Sequence, residues 1–548
     1  MGICDSISCH QVRKRLKSRM KARLHCVAVV LMLWMGSSRF GEGTANPGIV
    51  VQITRKGLEY AHQYAIAILK KELSTITVPN LSGHFRIRWV GSVSYDFHSL
   101  QIHQFVLRNS DLSLLPKQGI RAALSNNYMS MSGNWKVKKA FITLQGTFDL
   151  SMDGISISIS LNLGKDQSGH PTVSVTHCSN SIGQVSVHIS GSLSWIINLF
   201  HQRIEKSIKK TLEQKICETV RKSAASNLMP YLQSLPVTTT IDQISGIDYR
   251  LVENPQVSSE DLNVFFKGEF FSQSQRSPVP FDAPALMLPQ QYDHMVYFAV
   301  SEYVFNTASR VYYQAGRMNV TITNEHLKRL RTLAAKDSAK KWRKQNGKPN
   351  CMNSGSTPLT TMLLCYSSNF LLPLLQGPLN LPMQLNTNML QALVPQLSKL
   401  HRNMQVELEA SPESEPLLMF TPGNVTLTPV MNIQAVALLP NSTERKPLFQ
   451  FRVKTNVSIS ISMNSSRIVG SVTEASKLEL ELNHSSVSYI NMPLMNAILN
   501  YYALNTIYPS LNAKLEEGLP LPLPRDTFLK NMDLQVHKNF LLLGADIN

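Results

Sequence analysis

The longest regular pattern in the chain runs from Asn134 to Leu163, NWKVKKAFITLQGTFDLSMDGISISISLNL. Apolar residues alternate with polar ones, first Phe148, Leu150 and Met152, then Ile155, Ile157, Ile159, Leu161 and Leu163. A period of two puts them on one face of a strand and Ser, Thr and Asn on the other. Asp153-Gly154 between the two runs predicts a hairpin turn. The stretch opens on Trp135-Lys136-Val137-Lys138-Lys139. The expectation is an antiparallel sheet, apolar on one side, with a basic tip flanked by exposed Trp135 and Phe141.

Leu58, Ala61, Ala65, Ile68 and Leu69 fall at helical spacing and predict an amphipathic helix over 53–73. Short alternating runs between 85 and 131, then at 173–175 and 185–189, predict an antiparallel meander around the central stretch. From Trp195 to Leu232 apolar residues recur every three to five positions, a long helix that ends or is re-aimed at Pro230. Strands resume at 237–241 and 262–271. Ser277 to Pro289, SPVPFDAPALMLP, holds four prolines and reads as a stiff linker. Beyond it come strands at 295–300 and 318–322, a helix at 304–313, alternating runs over 406–482, a helix over 494–515 and a closing strand region at 532–544. Each half closes on a helix, a Leu-Pro step and strands, so the pattern predicts two like-built α+β halves. The divisions are 46–272 for an N-terminal domain, 273–292 for the linker and 293–548 for a C-terminal domain.

At 548 residues the length fits two large domains. Seven basic residues between Arg13 and Arg23, an apolar run from Cys26 to Met35 and small residues to Ala45 read as a secretory signal peptide over 1–45. Met20 would itself begin a signal of ordinary length, which makes 1–19 a candidate over-extension of the gene. An extracellular destination agrees with sequons at Asn80, Asn319, Asn424, Asn441, Asn456, Asn464 and Asn483. Of the seven cysteines, Cys4, Cys9 and Cys26 lie in the leader, and Cys178 with Cys217 is the expected disulfide. Closing that loop is worth roughly 4 kcal/mol on the chain-entropy account.

The net charge of +18 is uneven. Residues 46–240 hold twenty basic and ten acidic residues. Such a half is steered towards anionic partners, and secretion disfavours nucleic acid. Residues 328–381 are densely basic, then apolar without a period, and contain Cys351 and Cys365. A heparin-like patch or a localisation signal would fit; an inserted or mis-spliced exon fits better. Lys136, Lys138 and Lys139 have a plain reading as edge lysines that deter strand pairing. The flanking aromatics favour a lipid surface instead. Three to five such cations supply about 3–5 kcal/mol at an anionic surface, whereas extraction of a lipid requires acyl burial at about 0.8 kcal/mol per methylene. G-x-S-x-G, H-E-x-x-H, a Walker loop and C-x-x-C are all missing. His98 and His103 are scattered on sheet segments, so an enzyme is not expected, nor a metal or cofactor.

Several long segments in order resemble the bactericidal/permeability-increasing family of lipid-transfer proteins. They are NPGIVVQITRKGLEYA at 46–61, the stretch 134–164, SWIINLFHQRIEKSI at 194–208, PYLQSLPVTTTID at 230–242, MVYFAVSEYVFNTAS at 295–309 and HKNFLLLGADI at 537–547. The resemblance covers 46–548 except 328–381. It implies a boomerang of two barrel-and-helix domains sharing a central sheet, each with an apolar pocket for phospholipid. It also implies the Cys178–Cys217 bridge. By position, Lys136, Lys138 and Lys139 would take the phosphates of lipid A in lipopolysaccharide, with Trp135 beside them. Arg86 and Arg88 stand in a neighbouring, more loosely matched strand-loop. The C-terminal half would hand the lipid to a GPI-anchored myeloid co-receptor and on to a Toll-like receptor complex. Two rivals share the fold: a directly bactericidal protein acting on Gram-negative outer membranes, and a plasma phospholipid or sterol-ester transfer protein.

Overall fold

The computed structural model describes residues 46–87, 91–190, 201–329, 332, 384–397, 404–439, 444–464, 467–487, 489–517, 519–520 and 529–547. The expected leader, nearly all of 328–381, Arg88 and Asn441 therefore lie outside the described residues.

Strand β1 (Ile49–Thr54) leads directly into helix α1 (Arg55–Ser74). Thr54 caps the helix, its Oγ1 accepting from the Gly57 amide at 3.4 Å. Position 57 needs glycine, because a Cβ there would sit 2.2 Å from the Met295 carbonyl oxygen. The expected meander follows as β2 (Leu81–Ile87), β3 (Gly91–Val106), β4 (Asn109–Leu115), β5 (Gly119–Lys139), β6 (Ile142–Lys165), β7 (Pro171–Ser181) and β8 (Gln184–Ile189). They form one antiparallel sheet in the order β2-β3-β5-β6-β7, with β4 paired to β5 and β8 to β6. Helix α2 (His201–Ser223) lies inside its curve. Ile208, Leu212, Ile216 and Val220 of α2 join Leu73 of α1 against Phe97, Phe105, Met129, Phe148 and Leu150 of the sheet. Cys178 on β7 is bonded to Cys217 on α2, pinning helix to sheet as expected.

One local expectation fails. Asp153-Gly154 is not a hairpin turn; β6 runs through it unbroken from Ile142 to Lys165. Gly154, at φ +70°, adds one residue to the strand. That extra residue moves the inward apolar positions from even numbers (148, 150, 152) to odd ones (155, 157, 159) while all stay on one face. The partner strand is irregular at the same level, between Leu124 and Met129. There the buried Asn127 side chain donates to Ile155 O at 2.8 Å and accepts from the Arg108 amide at 3.1 Å. The slip bends the sheet around its helices; β8 pairs with β6 before it and β7 after it.

Pro230 does not end the helix. Residues Ala224–Leu228 form a π turn in which the Met229 amide bonds to Ala224 O, and α3 (Met229–Ser234) continues with the proline in its first turn. Proline has no N–H to donate, and the wider turn accommodates the loss.

The two halves share a central six-stranded antiparallel sheet. Its order is Gln256–Val257, Asp261–Phe266, β1, Val296–Ser301, Phe540–Ile547 and Leu529–His537. The proline-rich linker lies along one face of it, with Leu286 and Leu288 on Val50, Tyr297, Ala299, Phe540 and Leu542. Helix α4 (Glu302–Gln314) is the keystone between the halves. On one side Tyr303 and Tyr312 donate to Glu269 and Asp242 at 2.5 and 2.6 Å. On the other, Arg310 pairs with Glu415 at 2.8 Å and Glu302 accepts from the Phe420 amide at 2.8 Å.

The C-terminal half has two five-stranded antiparallel sheets. The first is Val320–Ile322, Gln405–Pro412, Val430–Leu438, Arg445–Lys454 and Glu479–Ser485; the second is Leu418–Thr421, Asn424–Leu427, Val457–Asn464, Arg467–Ala475 and Leu519–Pro520. The predicted last helix is α5 (Met492–Tyr502), a π turn at Ala503–Ile507, and α6 (Tyr508–Glu517). Its Met495, Ile498 and Leu499 pack on Leu448, Phe449 and Phe451.

A candidate lipid-binding tip

Strands β2, β3, β5 and β6 reach the same end of the N-terminal sheet. Register places Arg86 opposite Ser92, Ser94 opposite Lys138, and Lys139 opposite Ile142. Thus the β5–β6 turn, Ala140-Phe141, lies at the end of the sheet where β2 stops at Ile87 and β3 starts at Gly91. Lys136 and Lys138 share the outward face of β5 and both are exposed, as are Lys139 and Arg86. None of the ion pairs among the described residues involves these four cations. Asp96, in register with Lys136, forms no ion pair with it and lies 3.4 Å from His98 Nδ1. The row keeps an excess of positive charge beside that one in-register carboxylate, and its side chains are free to meet an anion.

Trp135 corrects an expectation. It is not an exposed flank of the cluster but is buried, at 3 % exposure. Alternation explains this: Trp135 and Val137 are in phase with Met129 and Met131, which line the interior, so Lys136 and Lys138 must face out. Gly146 opposite leaves room for the indole, since a Cβ there would come within 2.8 Å of Trp135 Nε1. The exposed apolar group at the tip is Phe141, fully solvent-accessible, joined by Ile142 at 62 %. Sequence reasoning missed Ile142. Its even number puts it in phase with Leu144 and Phe148, but it lies at the strand's end, beyond the core that receives them. His84 was also missed. It is exposed on β2 and in register with Ser94, so it extends the polar row that contains Lys138.

The remaining chemistry is sparse. Among the described residues no three His, Cys, Asp or Glu side chains are placed to hold a metal ion. No described helix is long and apolar enough to cross a membrane.

A basic, apolar-tipped end on a sheet wrapped around helices, in a molecule built of two such halves about a shared sheet, defines a class: two-barrel lipid-binding and transfer proteins. Residues 57–234 match the N-terminal domain of the LBP / BPI / CETP family, and residues 239–336 and 354–548 match its C-terminal domain. The chain belongs to this family. It is 42% identical to human lipopolysaccharide-binding protein over 520 residues, 95% of this chain and 97% of that one. It is 32% identical to rat bactericidal permeability-increasing protein over 504 residues, 92% of this chain and 94% of that one. A crystal structure of lipopolysaccharide binding protein superposes with a TM-score of 0.53 at 40% identity, covering 92% of this chain and 99% of that one.

Proposed function

We propose that this protein is a secreted carrier that binds the lipid A part of lipopolysaccharide at the N-terminal tip and delivers the lipid to innate immune receptors. The observation that carries the reading is the unpaired row of Lys136, Lys138 and Lys139 ending in exposed Phe141 and Ile142. Phosphates of a lipid aggregate would meet the lysines while the apolar tip enters the acyl boundary. Acyl chains would then be held among the apolar residues between sheet and helices, where phospholipid would otherwise reside. Arg86 contributes to the same anionic contact, Arg88 is assigned there by sequence position, and Trp135 acts from the interior side of β5.

The test is fluorescence-monitored transfer of labelled lipopolysaccharide from aggregates to a soluble, anchor-free form of the co-receptor. Lys138→Glu with Lys139→Glu is expected to weaken binding at least 30-fold, at about 1 kcal/mol or more per cation, with unchanged unfolding. Normal transfer by that variant would remove the site from the tip. A second reading, direct killing of Gram-negative cells, draws on the excess of twenty basic over ten acidic residues in 46–240. Binding without any transfer would favour it.

A further inference from the structure

An edge strand presents unpaired N–H and C=O groups to any second copy of the chain. Most edges here are covered from within. Strand Leu418–Thr421 is closed by α4, where the Asn306 side chain donates to Leu418 O at 3.0 Å and accepts from Leu418 N at 2.8 Å, standing in for a neighbouring strand. Strand β4 lies against α1, β7 against α2 and α3, and Glu269–Ser272 against α4. Leu529–His537 lies against the second C-terminal sheet. Asn500 closes Leu478 with bonds of 2.7 and 3.3 Å, but that cover stops just before Glu479–Ser485.

Among the described residues, three edge strands pack extensively on a single neighbouring strand and on no helix or second sheet: β2, Val320–Ile322 and Glu479–Ser485. The edges Thr238–Thr240 and Leu519–Pro520 share this state, but the first is three threonines without an apolar side chain and the second is only two residues long. The three exposed edges carry apolar residues, with Val320 at 49 % and Leu482 at 43 % exposure; their charged residues are Arg86 at the tip end of β2 and, on the third, Glu479 and Glu481, the latter paired with Arg452. Each of them also carries a sequon. Asn80-Leu81-Ser82 opens β2, Asn319-Val320-Thr321 opens the second, and Asn483-His484-Ser485 closes the third, all with exposed asparagines; Asn483 Nδ2 donates to Asn432 Oδ1 at 3.4 Å, a bond that a glycan there would replace. Of the other four sequons, Asn424 and Asn464 belong to strands inside the second C-terminal sheet, Asn456 directly precedes one of them, and Asn441 is outside the described residues.

We infer that N-linked glycans at Asn80, Asn319 and Asn483 guard the three open sheet edges against pairing with a second copy of the chain. Docking a further strand requires approach to about 4.8 Å along the whole edge, and a hydrated glycan rooted at the strand occupies that flank. The fold thus uses two devices: side-chain amides from helices where a helix is at hand, and sugar where none is. The inference rests on the secretory route proposed above.

The test uses the full chain secreted from mammalian cells, with glycan occupancy read by peptide mass. Sedimentation velocity over a concentration series then compares wild type, Asn80→Gln/Asn319→Gln/Asn483→Gln, and Asn424→Gln/Asn456→Gln/Asn464→Gln. The edge triple is expected to self-associate at a concentration at least tenfold lower than wild type, and the other triple to behave as wild type. Enzymatic trimming of folded wild-type protein should reproduce the association without any demand on folding. Ser82→Lys, Val320→Lys and Leu482→Lys together, one on each open edge, should restore the monomer in the edge triple. A monomeric edge triple, equal association of both triples, failure of the lysines to restore, or unoccupied edge sequons on secreted protein would each overturn the inference. Retention inside the cell without glycans would instead overturn the secretory reading itself.

Discussion

Both halves lay a long helix along their sheet, and in both a proline arrives near its end. At Ala224–Leu228 and again at Ala503–Ile507 the helix widens to a π turn, with Met229 bonded to Ala224 O and Tyr508 to Ala503 O; Pro230 and Pro509 follow at once. The backbone answer is the same. The surfaces are opposite. Helix α2 carries seven basic and three acidic residues in its 23, whereas no Asp, Glu, Lys or Arg occurs between Met492 and Ala513. Its outer side exposes Tyr501, Leu504 and Ile507 instead. The repeated backbone shows that the architecture depends on phase and proline position, which both halves keep. Charge is free to diverge, and the half with the basic tip also has the charged helix. The same comparison extends to the tip, where neighbouring residues of β5 divide between core and ligand surface.

The largest expected effect separates those two roles. Trp135→Ala should destabilise the N-terminal half by about 3–5 kcal/mol, as emptied aromatic sites do. Lys138→Ala, one turn of alternation away, should change stability by less than about 0.5 kcal/mol while weakening binding to anionic lipid. Urea unfolding of both variants decides it. A stable Trp135→Ala protein with impaired binding would return the indole to the ligand surface.

The disulfide marks a second asymmetry, since Cys178–Cys217 ties sheet to helix in the N-terminal half only among the described residues. Paired replacement of Cys178 and Cys217 by Ser should lower stability by about 2–4 kcal/mol. Calorimetry should show the loss in a transition followed by N-terminal probes, with C-terminal probes little moved. Equal shifts in both would mean that the halves unfold as one unit through the central sheet.

How far the sequence showed these features depends on periodicity. The two α+β halves, the helices near 53–73, 201–232 (its predicted start at 195–200 lies outside the described residues) and 494–515, and the Cys178–Cys217 bridge were legible because apolar spacing and cysteine placement are local signals. Asp153-Gly154 was misread because a turn and a bulge use the same residues. The distinguishing sign was the one-residue slip in phase between Met152 and Ile155, which only a continuous strand needs. Trp135 was misread because chemistry was put before parity; its odd number already placed it with Met129 and Met131. The central sheet was beyond local reading, since it joins β1 to strands at 296–301 and 540–547, hundreds of residues away. The cover that Asn306 gives Leu418 is a long-range contact of the same kind.

At that shared sheet the comparison can be broken by pH. Burial acts to raise the Asp546 carboxyl, but hydrogen bonds from Asn531, Lys56 and the Met295 amide outweigh it and hold the group below the ordinary carboxylate value. A depressed value means stabilisation that is fully present above the unfolded carboxylate range, near 3.8, and lost as pH falls through the folded one. Because Lys56 lies on α1 and Asp546 on the C-terminal strand, this loss loosens one half from the other. Asp546→Asn should cost about 1–3 kcal/mol at neutral pH. The difference in Tm between it and wild type should be constant above pH 5 and shrink below pH 4. A gap unchanged down to pH 2 would show that the carboxylate charge contributes nothing to the junction.

The smallest expected effect tests whether the uncharged stripe of the C-terminal helix is as open as its exposure indicates. Leu504, at 59 % exposure, and Ile507 face away from the Ala503 and Tyr508 contacts that seat the π turn. Leu504→Lys with Ile507→Lys would give this turn the kind of surface that α2 has. With no core contact to lose, the denaturant midpoint of the C-terminal half should move by less than about 0.5 kcal/mol equivalent. Tyr508→Ala, which does reach the core, should move it several times further. If the two lysines cost as much as Tyr508→Ala, the stripe is packed in solution, and the difference between the helices lies in what covers them as well as in charge.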